Sequence, residues 1–163
     1  MRTNFIVDTA EREKILSACK TCFIAVAEDN KPYVVPMNFA VDGDTVILHS
    51  AKEGRKWEAL RKNPEICVTW ILGEELAWQD AMVGCSYRVK SKTVIAEGNV
   101  EFVDDYDEKV RCLHVFMSQY SDRSFRFSPP SVRNVGIMRV HVKNWSVKEF
   151  GAKAIPSVKL KTR

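Results

Sequence analysis

Short runs of alternating apolar and polar residues recur along this chain, which is typical of half-buried β-strands. Strands are predicted over CFIAVAE at 22–28 and over TVILHSA at 45–51. Another is predicted in the run PYVVPMNFAV at 32–41, beginning at Tyr33. EICVTWIL at 65–72 is almost continuously apolar and is predicted to be a central strand.

Turn residues separate these runs. Asp29-Asn30-Lys31-Pro32 predicts a turn before Tyr33. Asp42-Gly43-Asp44 predicts a hairpin turn, because glycine tolerates a positive φ and aspartate bonds its own backbone. Residues 73–84 fit either a short helix or a loop.

The C-terminal half of the chain predicts two longer extended segments. SYRVKSKTVIAEGNVEFV at 86–103 fits a long, curved strand or a hairpin, with Gly98 as a bulge or a point of close approach. IMRVHVKNWSVKEF at 137–150 predicts the last strand, with a bend at Asn144.

Three segments have helical spacing. A capping box from Asp8 to Glu11 predicts a helix over 9–19. GRKWEALRKNP at 54–64 predicts a basic helix, and DDYDEKVRCLHVFMSQY at 104–120 predicts another that places an apolar stripe on the core: Val110, Leu113, Phe116, Met117 and Tyr120. An irregular basic loop is expected at 121–136.

These elements predict a mainly β protein with flanking helices. Six or seven antiparallel strands without regular β-α alternation favour a closed or split barrel over a doubly wound sheet. At 163 residues the chain is expected to be a single domain, 1–163, that ends in a basic tail at 151–163.

Composition narrows the classes of function. A net charge of +4 is mild and suits a small anionic ligand better than nucleic acid. The sequence has no apolar run long enough to cross a membrane and no signal-peptide core at its N-terminus, so we expect a cytoplasmic protein that does not bind membranes.

The cysteines and histidines do not predict a metal site. Five cysteines form no disulfide framework, and Cys19-Lys20-Thr21-Cys22 lacks the second ligand pair that zinc requires. His114 and His141 have no ligand partner at the right spacing. A redox role for the Cys19 and Cys22 pair is disfavoured, because a helix ends there rather than begins.

The end of the third predicted strand carries the densest set of polar functional groups. His49, Ser50, Gly54, Arg55 and Lys56 lie within eight positions, next to a helix N-terminus that opens near Ala51. Arg55 and Lys56 could be solvated charges, and His49 could be satisfied by a backbone carbonyl. Beside a hydroxyl and a helix start, however, these groups favour an anion site that would suit a phosphate.

Blocks in the same order and spacing carry a family resemblance over about residues 5–153: PYVVPMNF at 32–39, the DGD turn, HSAKEGRK at 49–56, Leu60 with Asn63-Pro64, KTVIAEG at 92–98 and WSVKEFG at 145–151. Together they resemble the FMN-binding split-barrel family, the pyridoxamine 5′-phosphate oxidase-like proteins. Within it, they are most similar to the 5-nitroimidazole reductase, or nitroimidazole-resistance, branch.

The resemblance implies a set of cofactor contacts. It implies a homodimer with FMN at the subunit interface, where Arg55 and Lys56 would bind the phosphate and His49 would lie close to the flavin. Lys92-Thr93 match an Arg-Ser pair of the branch. Lysine in place of that arginine keeps the positive charge but cannot form the bidentate hydrogen bonds of a guanidinium group. The implied cofactor-binding residues are Val34, Val35, Pro36, Met37, Asn38, Phe39, His49, Ser50, Arg55, Lys56, Lys92, Thr93 and Trp145, the last toward the partner's flavin.

The implied function is an FMN-dependent oxidoreductase that reduces a small planar acceptor, such as a nitroaromatic or nitroimidazole. His49 is the candidate catalytic residue, because its ordinary pKa lies near neutrality. NADH or NADPH would bind only transiently, since the chain has no G-x-G-x-x-G motif. The tail GAKAIPSVKLKTR lacks the Arg-x-His signature for pyridoxamine phosphate, so oxidation of that substrate is not expected.

Two alternatives remain open at this point. One is a non-catalytic flavin- or haem-binding sensor or carrier in which His49 would ligate haem. The other is an interaction module that binds an anionic partner through its basic tail and its basic loop, where Arg123, Arg126 and Arg133 alternate with phenylalanines. That loop could equally be a lid over a substrate.

Overall fold

A computed structural model describes residues 3–151. The predicted basic tail therefore lies, apart from Gly151, outside the described residues. The strands are β1 (Thr3–Phe5), β2 (Cys22–Glu28), β3 (Lys31–Met37), β4 (Phe39–Asp42), β5 (Thr45–Ser50), β6 (Glu65–Ala77), β7 (Arg88–Val103) and β8 (Gly136–Phe150). The helices are α1 (Thr9–Ala18), α2 (Arg55–Lys62), α3 (Tyr106–Ser118) and α4 (Pro129–Asn134).

The strands form one antiparallel sheet in the order β3-β2-β6-β7-β8-β5-β4, with β1 added beside β8. β3 and β4 stand at opposite ends of this order, yet only Asn38 separates them in the chain. Three consecutive Cα atoms span at most about 7.6 Å, so the sheet must curl until its two ends meet. In the described chain no ladder joins β3 to β4, which makes the barrel split and confirms the predicted fold class.

The barrel encloses the main hydrophobic core. Large side chains that point inward from the strands are fully buried, among them Ile24, Phe39, Leu48 and Trp70. α2 closes this core with Trp57 and Leu60, as predicted. α3 instead covers the outer face of β4, β5 and β8, where Phe116 and Cys112 form a second apolar cluster.

Two-residue turns set the register of the first hairpins. Asp29 and Asn30 have φ of 49° and 62°, the left-handed conformation that a tight hairpin turn requires. β3 consequently begins at Lys31, two residues before the predicted start at Tyr33. The second turn is confirmed, since Asp42 pairs with Thr45 around Gly43, which has φ of 58°.

Residues 73–84 were predicted to form a short helix or a loop, and this prediction was wrong for residues 73–77, which are a strand. β6 continues to Ala77, and a bulge between Leu72 and Glu75, with Gly73 at φ 74°, lets the strand keep pairing with β7. The segment after Ala77 is a loop with a short 3₁₀ turn at Gly84–Ser86.

The 121–136 segment is only partly irregular. α4 lies within it. Ser128 caps this helix, since its hydroxyl accepts the backbone N–H of Ser131, and prolines occupy the first helical positions.

β7 is a single strand rather than a hairpin, and its ladder with β8 shifts between Glu97 and Gly98, opposite the predicted bend at Asn144. No described helix is long and apolar enough to cross a membrane.

Candidate functional site

The corner between β5 and α2 fixes Ser50. Its hydroxyl donates to the carbonyl oxygen of Ala51 at 2.8 Å and accepts the indole N–H of Trp57 at 2.9 Å. Trp57 is buried against Gly136, where an added Cβ would overlap the indole ring. The indole therefore anchors the first turn of α2 against the ends of β5 and β8.

The N-terminus of α2 is open. Its cap residue Gly54 has φ of 93° and no side chain to accept a hydrogen bond. The amides of Trp57 and Glu58 both donate to the Gly54 carbonyl, whereas within residues 3–151 the amides of Arg55 and Lys56 have no acceptor. Two free N–H groups at the positive end of a helix form a site suited to an anion.

Lys56 adds a full charge to this end of α2. Its side chain is half-buried, and burial lowers the pKa of its ammonium group. Within the described chain Lys56 forms no ion pair and no hydrogen bond, unlike Lys62 at the other end of α2, whose Nζ lies 4.0 Å from Glu28. A partly desolvated ammonium without a counter-ion is unfavourable, and a bound anion would relieve it.

His49 lies close to Lys56 but faces the opposite side of β5 from Ser50. Its ring packs edge-on against Phe116 of α3, with centroids 4.3 Å apart. Burial, with a smaller contribution from the charge of Lys56, lowers the pKa of this imidazole. The ring is therefore neutral at neutral pH, and an anion beside Lys56 would favour its protonation.

Arg55 connects α2 to the β2–β3 hairpin. Its Nε donates to Glu28 at 3.0 Å, and its guanidinium lies 4.3 Å over the ring of Tyr33. This contact brings the start of α2 beside β3, so the predicted phosphate-binding group and the segment that begins at Val34 are neighbours.

Residues 34–39 alternate between the two faces of β3 and the start of β4. Val34 and Pro36 are exposed on the outer face, Met37 and Phe39 are buried in the core, and Val35 is half-buried. Asn38 is exposed at the split of the barrel, where its side-chain amide donates to the carbonyl oxygen of Lys20 at 2.9 Å.

Tyr120, just after α3, fixes this junction, although its sequence pattern predicted only a core position. Its hydroxyl accepts the amide N–H of Phe39 at 2.8 Å and lies within donating distance of the carbonyl oxygens of Phe39 and Lys20, at 2.8 and 3.1 Å. These partners lie about 80 or 100 positions away in sequence. No local sequence signal could have revealed them.

Lys92, Thr93 and Trp145 lie apart from the β5–α2 corner. Lys92 is bonded to Glu11 of α1, and Thr93 pairs with Ile71 within the sheet. The Trp145 indole donates to Asp44 at 2.9 Å and is covered by the guanidinium of Arg12 at 4.5 Å. The described chain thus groups residues 34–39 with His49, Ser50, Arg55 and Lys56, and places the other three predicted contacts elsewhere.

An apolar strip crosses the outer face of β3, β2, β6 and β7. Leu76 and Val89 are direct partners in the β6–β7 ladder, and Phe23 pairs with Thr69, two residues before Ile71. Each member of the strip is at least 40% exposed: Phe23, Val34, Ile71, Leu76 and Val89. Exposed apolar side chains grouped in this way form a candidate interface. We call these five residues the outer strip.

Four clefts on the described surface are lined by residues other than Ser50, Arg55 and Lys56. The largest of these four, about 690 Å³, lies between Pro32, Cys67 and Glu97. Trp145 lines a separate cleft of about 480 Å³ under the start of α1.

Cys19 and Cys22 are buried free thiols. Burial raises the pKa of both, that of Cys22 to about 12, so both remain protonated and unreactive at neutral pH. Within residues 3–151 no group of three or more His, Cys, Asp and Glu side chains could hold a metal ion.

Comparison with known proteins identifies the family. The model of the pyridoxamine 5′-phosphate oxidase family matches residues 8–149, almost the whole described chain. The chain belongs to the pyridoxamine 5′-phosphate oxidase family. The predicted resemblance is therefore confirmed. A search of curated proteins found no match.

Solved structures of this fold include proteins that carry flavin. A candidate 5-nitroimidazole antibiotic resistance protein from Bacteroides thetaiotaomicron is 38% identical, with a TM-score of 0.82 over 91% of this chain and 87% of that chain. The flavocytochrome Anf3 from Azotobacter vinelandii is 20% identical, with a TM-score of 0.77 over 96% and 72% of the two chains. An FAD and haem binding protein from Mycobacterium smegmatis is 14% identical, with a TM-score of 0.70 over 91% and 73%. The last two likenesses show the fold alone.

Proposed function

We propose that this family member is a flavin-dependent oxidoreductase that binds FMN and reduces a small planar acceptor of the nitroaromatic or nitroimidazole class. Family membership and the 38% identity to a candidate nitroimidazole-resistance protein support this assignment. When bound, FMN supplies the redox chemistry, because its ring accepts and releases a hydride.

The observation that carries the proposal is the uncompensated positive charge at the start of α2. Lys56 has no anionic partner in the described chain, and the adjacent amides of Arg55 and Lys56 are free. The phosphate of FMN fits these donors in charge and in number. Ser50 is held beside them by Trp57, and its oxygen retains acceptor capacity for a ribityl hydroxyl.

The outer strip supports a homodimer. The segment from Tyr33 to Phe39 is held by Arg55 at its first residue and by Tyr120 at its last, and its exposed Val34 belongs to the strip. A second copy packed on this face would cover the strip and enclose the open corner, excluding water from the ring that residues 34–39 are proposed to contact. Lys92, Thr93 and Trp145 would then serve the site from a different part of the dimer.

His49 would donate a proton to the acceptor as the acceptor is reduced. Its imidazole is neutral when no anion is bound, and a phosphate near Lys56 would offset the cationic charge that disfavours protonation. NADH or NADPH is the proposed electron donor and would bind transiently, since the chain has no dinucleotide-binding glycine motif. Five free cysteines suit the reducing environment of the cytoplasm.

Replacement of Lys56 tests the phosphate assignment. Lys56→Ala should weaken FMN binding by about 1.5–3 kcal/mol, the range of a hydrogen bond to a charged group, which corresponds to roughly tenfold or more in Kd. Quenching of flavin fluorescence measures the affinity. Lys62→Ala, at the opposite end of the same helix, is the matched control and should bind FMN as the wild type does. Equal affinities in the two variants would reject the assignment.

A haem-binding protein without turnover is the second candidate. The neutral imidazole of His49, packed on Phe116, is the form that ligates iron. Against it, the ammonium group of Lys56 beside His49, unpaired in the described chain, favours a phosphate-bearing cofactor. A Soret band that His49→Gln abolishes would assign haem instead of flavin.

A further inference from the structure

Lys109 is the one buried charged residue of the described chain. It lies on α3 with 2% of its surface exposed, and its Nζ donates to the carbonyl oxygen of Val135 at 2.9 Å. Within residues 3–151 no carboxylate lies within ion-pair distance of this ammonium group, and Asp104 acts on it only from farther away. Charged side chains this buried are normally paired with an opposite charge.

A second lysine points to the same place. The ammonium group of Lys52, on the loop between β5 and α2, donates to the carbonyl oxygen of Arg133. The two accepting carbonyls are two residues apart at the C-terminal end of α4, so the two ammonium groups are neighbours. Burial lowers the pKa of Lys109, and the adjacent Lys52 lowers it further.

Capping of α4 accounts for only part of this arrangement. A cation near the last carbonyls of a helix is favourable, and one lysine would satisfy that role. The second ammonium introduces repulsion between like charges at a site where one of them is already desolvated. Each ammonium has three N–H donors and uses one on a backbone carbonyl, so four donors remain for an anion between them.

We propose that Lys52 and Lys109 form a second anion site, which takes a phosphate group. Lys52 is exposed and can admit the ligand, whereas Lys109 is held in place by α3 and by Val135. The site uses a different pair of cations from the start of α2, because Lys52 and Lys109 bond carbonyl oxygens at the C-terminal end of α4, whereas Lys56 lies beside His49. The proposal therefore does not depend on flavin binding.

Titration with inorganic phosphate tests this site in the full chain, with FMN present in excess to fill the start of α2. Lys52→Met and Lys109→Met should each weaken phosphate binding by about tenfold or more, as expected for loss of a charge-assisted contact. Lys31→Met is the control: this residue is exposed on β3, its side chain has no hydrogen-bond or ion-pair partner in the described chain, and the variant should bind phosphate as the wild type does. Calorimetry in a phosphate-free buffer measures the affinities.

Absence of phosphate binding by the wild type, or equal binding by Lys52→Met and Lys31→Met, would overturn the proposal. If Lys109→Met does not fold, the exposed Lys52→Met decides the question alone. If the wild type binds no FMN, the proposed function fails, and the titration is repeated on Lys56→Ala, in which the second site should still bind phosphate.

Competition identifies the source of the phosphate. If NADPH displaces inorganic phosphate and NADH does not, the site holds the 2′-phosphate of a nucleotide donor. If neither nucleotide displaces it, the site holds free phosphate. Both results retain a phosphate site that requires Lys52 and Lys109.

Discussion

At the scale of single residues, proximity to Lys56 and Phe116 gives His49 its chemical character. A buried imidazole is favoured in its neutral form, and the neighbouring ammonium group strengthens that preference. The sequence identified His49 as a candidate site residue because Ser50, Arg55 and Lys56 follow it closely in the chain. Phe116, which packs against its ring, lies on α3, 67 positions later.

The lowered pKa of His49 predicts how stability depends on pH. The unfolded chain protonates this histidine near its ordinary pKa of about 6.5, whereas the native state does so only at lower pH. The unfolded state therefore binds more protons in that window, so the free energy of unfolding should fall as pH falls from above the unfolded pKa through the folded pKa.

Urea unfolding at several pH values measures this effect. His49→Gln should show a smaller loss of stability on acidification than the wild type, and His114→Gln, at an exposed position, should behave as the wild type does. Identical pH profiles for His49→Gln and the wild type would show that this histidine is not perturbed.

At the scale of elements, Gly98 determines how β7 and β8 approach each other. A Cβ at this position would overlap the carbonyl oxygen of His141 on the facing strand, where the ladder shifts register. Sequence reasoning predicted a bulge or a close approach here, and the structure confirms both.

Gly98→Ala should lower the free energy of unfolding by about 1–3 kcal/mol, the range for forcing an extra carbon into a packed site. Chemical denaturation gives the value. The control is Gly84→Ala, where the added carbon meets no atom within 4 Å and the backbone has no positive φ. A Gly98→Ala protein as stable as Gly84→Ala would contradict the close approach.

Elements with a local signal could be predicted, and those set by distant contacts could not. The periodicity of apolar residues and the turn residues between them predict β2, β5 and the start of α2. The extension of β6 to Ala77 depends on pairing with β7 across a bulge, and α4 is signalled only by Ser128 and two prolines inside a loop-like composition. In the site, the contiguous group from His49 to Lys56 could be predicted, whereas the Lys92–Glu11 pair and Tyr120 depend on the folded chain.

At the scale of the whole molecule, the outer strip leaves one face of the sheet without a partner. Its residues come from four adjacent strands and are all exposed apolar side chains. A second copy of the chain on this face would bury the strip beside the open start of α2.

Phe23→Glu should therefore convert the protein from dimer to monomer, because a carboxylate at the centre of the apolar face would lose its hydration on association. Light scattering coupled to size-exclusion chromatography gives the mass. Tyr106→Glu, which is similarly exposed on α3, should remain dimeric. A wild-type monomer, or a Phe23→Glu dimer, would contradict this use of the outer strip.

The absorption spectrum of the protein with added FMN tests the central claim most directly. After removal of free flavin, the protein should retain flavin bands that NADH or NADPH bleaches anaerobically and that a nitroimidazole restores. A protein that retains no flavin, or one that shows only a Soret band, would contradict the assignment of this chain as an FMN-dependent reductase.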